Sequence, residues 1–179
     1  MFYDLASILL EFGTPCYVYD QNLINRSINR FKKVNYSNKK IHFASMANNN
    51  PHLLEILKNA GFGIFVNSMK HLSIALQSGF ALSDIIYTTT GISQRDMEFI
   101  INKNLSINLD SLEQVKLYGS LNPGGAVGVR LNIDEKSRDN IFIGSESRIG
   151  ILETEFFELL DIAQRYTALP DAMRYSSSN

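Results

Sequence analysis

The sequence predicts an α/β protein built on a parallel sheet, and three observations predict it. Apolar positions switch repeatedly between strand and helix spacing. Each strand-like run is short and apolar on both faces, as strands buried within a parallel sheet are. Each is followed by a helical run, the connection that parallel neighbours require. No composition shift, linker or charge block divides the chain. Residues 1–166 therefore read as one domain, and 167–179, with a proline and a serine run, as an irregular tail.

The elements follow in order. Residues 4–12 (DLASILLEF) repeat at Leu5, Ile8, Leu9 and Phe12, an amphipathic helix stopped by Gly13 and Pro15. CYVYD is a short extended piece whose Asp20 caps a helix from about Gln21 to Lys33, with Leu23, Ile24, Ile28 and Phe31 as its buried stripe. IHFASM (Ile41–Met46) is the first strand. PHLLEILKNAG is a helix with Pro51 in its first turn and Gly61 at its end. FGIFVN, DIIYTT and LSINLD are strands alternating with the helices KHLSIALQSG, SQRDMEFIINKN and SLEQVKLYGS. Ser93 caps the second of these, with Asp96 and Glu98 where negative charge is favoured. AVGVRLNI is the fifth strand. A long loop without pattern leads to a last helix, TEFFELLDIAQRY.

Composition narrows the function classes. With 179 residues, 45% of them hydrophobic and 20% charged, the chain is a globular protein and not a disordered one. Seventeen basic and 18 acidic residues leave a net charge of −1, which favours neither nucleic acid nor an anionic membrane as partner. The single cysteine, Cys16, excludes an intrachain disulfide, and no Cys/His cluster suits a metal. The start, MFYDL, carries an acid where a signal peptide needs positive charge, and no apolar run approaches the roughly 20 residues of a membrane span. A cytoplasmic protein is expected.

Few residues offer chemistry. His42 lies inside an apolar strand and reads as structural; His52, at a helix start, reads as solvated. His71 follows the second strand at the carboxyl end, where α/β sheets place ligands, and is open to either a packing or a site role. Asn48-Asn49-Asn50-Pro51 follows the first strand at the same rim, as a turn or as ligand-orienting amides. Asn122-Pro123-Gly124-Gly125 precedes a strand instead of opening a helix, so it is a turn and not a phosphate loop. Arg130 interrupts an apolar strand. If buried, it needs an anion, from the protein or from a ligand.

Taken in order, GTPCYVYD, IHFASMAN, GIFVNS leading to KHLSIAL, INLDSLEQVKLY, VGVRLNI and SRIGI (Ser147–Ile151) carry a resemblance over about residues 5–166. The chain resembles the fold-type III, pyridoxal-phosphate-dependent amino-acid decarboxylases, the group of diaminopimelate, ornithine and arginine decarboxylases. The resemblance implies a partial (β/α) TIM-type barrel: about five βα units of the alanine-racemase-like barrel, without the family's C-terminal β-domain. A typical complete barrel takes roughly 250 residues.

It also implies a site. Pyridoxal phosphate needs a lysine, an acid for its ring nitrogen, an anion site and a platform. The family's lysine lies in a motif like YAVKAN; this chain reads FASMAN, so Met46 stands at that position. Phe65 aligns with the family's second-strand aspartate and His71 with the glutamate opening the next helix. Asn48 and Arg130 match family residues, and Arg148 stands where many members have lysine. By resemblance Ala44, Asn48, His71 and Arg130 line the cofactor site. Lys70, Lys39 and Lys40 are the candidates for a replacement anchor, and Lys70, at the correct rim, reads instead as solvated. The family's stacking histidine and phosphate loop follow the fifth unit. The expectation is a truncated decarboxylase-like protein, inactive alone, taking a small amino-acid-like ligand and forming a homo-oligomer or pairing with a complementary polypeptide. Alternatively, it is a non-catalytic homologue acting through a partner or a small anionic ligand.

Overall fold

The computed structural model describes residues 4–132 and 149–166, which divide into two compact units, Met1–Lys39 and Lys40–Asn179. Arg148, its proposed family match and the tail 167–179 lie outside the described residues.

In the first unit, α1 (Leu5–Phe12) starts at Asp4, whose carboxylate accepts hydrogen bonds from the amides of Ala6 and Ser7. Helix α2 (Gln21–Lys32) starts at Asp20, which accepts from the Asn22 and Leu23 amides. Arg30 and Lys32 lie in the last turn of α2, where cations complement the helix dipole. The stripe expected to be buried on α2 is not: Ile28 is buried, but Leu23 and Phe31 are each 57% exposed. A piece this short has too little surface to close a core around both helices.

The second unit contains five parallel strands in chain order: β1 (His42–Ala44), β2 (Gly63–Val66), β3 (Ile85–Thr88), β4 (Ser106–Leu109) and β5 (Gly128–Val129). Helices α3 (Pro51–Asn59), α4 (Met69–Gln77), α5 (Gln94–Asn102) and α6 (Leu112–Leu121) make the crossovers. Every strand pairs with the next in sequence, so the winding never reverses. Right-handed crossovers then place all the helices on one face, as in a barrel wall.

Strand alternation sorts the side chains accordingly. Ile64 and Val66, Ile85 and Tyr87, and Ile107 and Leu109 are buried in the core with Leu54, Leu72, Met97 and Ile100 from the helices. The intervening residues Ala44, Phe65, Ile86, Thr88 and Asn108 face the other way and are half-buried. The strands are therefore amphipathic in exposure, although nearly all apolar in sequence. Gly63 is required by this second face, because a Cβ there would collide with the His42 ring on the neighbouring strand.

Two expectations are corrected. IHFASM is a strand only over His42–Ala44, because residues 45–47 turn out of the sheet, with the Ala47 amide bonded to the Ala44 carbonyl at 3.0 Å. AVGVRLNI is two strands, not one. At Arg130 the amide still donates to Leu109 O (2.7 Å), but the carbonyl accepts from the Ile151 amide (2.8 Å). Beyond it β6 (Leu131–Asn132) pairs with β7 (Ile151–Leu152), in a second, two-stranded parallel sheet. The stretch read as a patternless loop thus ends in a strand. A two-residue strand leaves no periodicity to read. Helix α7 (Phe156–Tyr166) follows a single 3-10 turn, and its Tyr166 ring lies where a Cβ on Gly119 of α6 would be.

Candidate functional site at the carboxyl rim of the sheet

The helices α3 to α6 begin at the carboxyl end of the strands, and each is capped by a side chain. Asn50, Ser68, Ser93 and Ser111 accept from amides of the first turn. This side-chain capping satisfies donors that a helix cannot pair internally. It also aligns four positive helix ends along one rim, which favours an anionic ligand there in general.

The turn after β1 supplies the chemistry of one corner. The Ser45 amide donates to Phe65 O (2.9 Å), which carries the β1–β2 pairing one residue past the strand and leaves Ser45 buried. Next to it the Met46 thioether is 44% exposed. Asn48 Oδ1 accepts from the Asn50 amide (2.9 Å), an Asx turn that leads into α3. His71, on α4, reaches this turn. Its Nδ1 is 3.1 Å from Ser45 Oγ, and its Nε2 is 3.4 Å from Asn49 Nδ2. The ring bridges the Ser45 hydroxyl and the Asn49 amide. His71 thus sits at the rim, where it is joined by Ser45 and Asn49.

Across the sheet, Arg130 follows β5. It is exposed, which corrects the premise of a buried guanidinium, because the chain changes strand partner at this residue. Its charge acts on Asp110, at the end of β4, which is 5% exposed. Burial raises the Asp110 pKa, while Arg130 and a hydrogen bond with Gln114 oppose the rise. Gln114 Oε1 accepts from the Asp110 amide (3.1 Å) and its Nε2 donates to Thr89 O (3.3 Å), so the ends of β3 and β4 are tied to α6. Ala44 ends β1, half-buried, on the face opposite the helices.

Sequence reading missed Ser45 and Asp110. A serine inside an apolar strand and an aspartate before a capping serine both have ordinary structural explanations. Only the fold shows that both are buried at the carboxyl end of the sheet.

The other two histidines lie outside this corner. His42 lies before this rim, its ring tilted against Phe65 at 5.3 Å between centroids. His52 is exposed on the first turn of α3. Asn122–Gly124 form the expected turn, with Gly124 at φ 78°.

The donor set decides whether pyridoxal phosphate fits in its lysine-bound form. A thioether cannot condense with an aldehyde, and Met46 occupies the corner. Lys70 is exposed on the α4 stripe shared with Ser73 and Gln77, while Leu72 and Ala75 of the same helix enter the core. Lys40 precedes β1 at the opposite end, paired with Asp84 at 2.8 Å. The described residues therefore do not fit a lysine-bound cofactor, and no reaction step is derived through one. Among the described residues no group of three or more His, Cys, Asp and Glu side chains is placed to hold a metal ion.

Comparison with known proteins agrees with this architecture. The family model described as "Pyridoxal-dependent decarboxylase, pyridoxal binding domain" matches residues 21–166. Diaminopimelate decarboxylase of Methanothermobacter thermautotrophicus is 28% identical over 167 residues, covering 89% of this chain and 39% of that protein. Diaminopimelate decarboxylase of Archaeoglobus fulgidus is 29% identical over 154 residues, covering 82% of this chain and 36% of that one. A crystal structure of diaminopimelate decarboxylase superposes with a TM-score of 0.80 at 28% identity, over 90% of this chain and 39% of its own. The chain thus spans about two-fifths of the length of these relatives. With most of its length matched by the family model and its five parallel strands wound as in these enzymes, the chain belongs to the pyridoxal-dependent decarboxylase family, through that family's pyridoxal-binding domain.

Proposed function

We propose that this chain, residues 1–166 taken as one barrel-like domain, is an amino-acid decarboxylase-like protein that does not decarboxylate by itself. The observation that carries the reading is Met46 in the turn after β1, exposed at the rim, where the family resemblance puts the reactive lysine. Ala44, Asn48, His71 and Arg130 are its proposed ligand-lining residues. The ligand class is a small amino-acid-like molecule together with a phosphorylated pyridine, and the location is cytoplasmic. In this reading the helix ends and Arg130 attract the anionic groups. His71, held between Ser45 and Asn49, sets the shape of one wall.

The test is carbon dioxide release from diaminopimelate, ornithine and arginine, with pyridoxal phosphate added in excess. No release above the protein-free control is expected. Saturable turnover lost on mutating Lys70 would overturn the reading.

A second reading, a non-catalytic homologue that works by association with its own copy, a complementary polypeptide or a small anion, is favoured by the exposed apolar residues of α2. Its solution test is given in the Discussion.

A further inference from the structure

We propose that the corner formed by Met46, Ser45, Asn49 and His71 accepts a phosphorylated pyridine without covalent attachment. It then does not distinguish a ligand bearing an aldehyde from one bearing an alcohol. The proposal rests on the pyridoxal-binding reading above and goes beyond it, because it assigns the corner a different kind of recognition.

Covalent capture needs a primary amine that attacks the aldehyde carbon, forms a carbon–nitrogen double bond and releases water. The described lysines of the second unit are paired elsewhere, placed at the far end of the sheet, or on an exposed helix stripe. Lys40 donates to Ser83 O (2.9 Å) and Asp84 (2.8 Å) before β1. Lys58 and Lys103 close α3 and α5, at the end of the sheet away from the rim. Lys116 lies between Glu113 and Glu158. Lys70 starts at the rim but on the exposed stripe of α4, one residue before the side chain that does turn inward.

The second observation concerns the corner's own electrostatics. A lysine amine, or the charged imine formed from it, is favoured by an anion nearby. Here the polar neighbours are a buried serine, an amide and an imidazole with both ring nitrogens already partnered. None carries negative charge. The replacement is consistent across the corner: a polarizable thioether suited to contact with an aromatic ring, beside neutral hydrogen-bonding groups. Such a corner recognises the ring by contact and leaves the anionic end to the cationic side of the rim.

The experiment is titration calorimetry of the purified full chain with pyridoxal phosphate and, separately, pyridoxine phosphate, in which an alcohol replaces the aldehyde. Each mixture is then treated with borohydride and mapped by peptide mass spectrometry. The expected result is two dissociation constants within about threefold of each other, with no stoichiometric reduced adduct. Met46→Lys, at an exposed position that tolerates the change, is expected to bind the aldehyde at least about tenfold tighter than the alcohol and to give an adduct at residue 46. Its circular dichroism melt checks that it folds.

A wild-type preference of tenfold or more for the aldehyde, with one lysine stoichiometrically modified, would overturn the proposal. So would a folded Met46→Lys chain that binds both ligands and shows no adduct, since position 46 would then not face the ring. Binding of neither ligand by the wild type overturns the pyridoxal-binding reading itself, and this proposal with it.

Discussion

His42 shows how one residue couples this sheet to pH. Its ring covers Gly63 and tilts against Phe65, and burial followed by the charge of Lys40 lowers its pKa from the ordinary 6.5. A lowered value means the folded state binds this proton less readily than the unfolded chain does. The contribution is therefore fully present above about pH 6.5 and is lost as the pH falls through the folded value. Asp110 acts in the opposite sense: its raised pKa favours the folded state at low pH, and that contribution is lost as pH rises through the folded value. Urea midpoints of the wild type and His42→Gln, measured from about one unit above the reference value to about one and a half units below it, separate the two. The wild type is expected to lose stability relative to the variant on acidification. Parallel curves would remove His42 as a source of pH dependence.

At the scale of elements, capping was the most legible feature and strand extent the least. Asp20, Ser93 and the Pro51 start were readable because a cap needs a particular side chain at a particular place. The break at Arg130 was hidden because it is a change of backbone partner inside an apolar run, with no composition signal. The site was half readable for the same reason. His71 and Asn48 could be placed at the rim by counting elements, whereas the Ser45–His71 contact depends on how far α4 lies from the turn after β1.

The cap of α4 also bears on the site. Ser68 Oγ accepts from the His71 amide at 3.2 Å, so one hydroxyl both starts the helix and fixes the residue that meets Ser45. Ser68→Ala is expected to cost about 1 kcal/mol of stability, read as a lowered urea midpoint with an unchanged slope. Substitution by Asp, which also caps, is expected to recover most of that loss.

At the scale of the whole molecule, the two units leave different surfaces uncovered. In the second unit β1 has one strand partner, β2, among the described residues, and the sheet face opposite the helices is half-buried. Edges of this kind are the places where further chain adds on. The first unit exposes Leu5, Leu9, Phe12, Leu23 and Phe31, more large apolar surface than its 39 residues can cover by themselves. No helix among the described residues is long and apolar enough to cross a membrane. The exposed apolar residues of the first unit make a protein partner the occupant to test first.

If association drives the burial of α2, the mass measured by light scattering should rise with protein concentration. The double variant Leu23→Glu/Phe31→Glu should stay monomeric over the same range. Because both side chains are already 57% exposed in this structure, the variant should melt within about 2 °C of the wild type, as surface changes of under half a kcal/mol do. A melting temperature lowered by much more than this would mean that the stripe is covered within the molecule. A wild-type mass that stays monomeric at every concentration would remove the support for action through association.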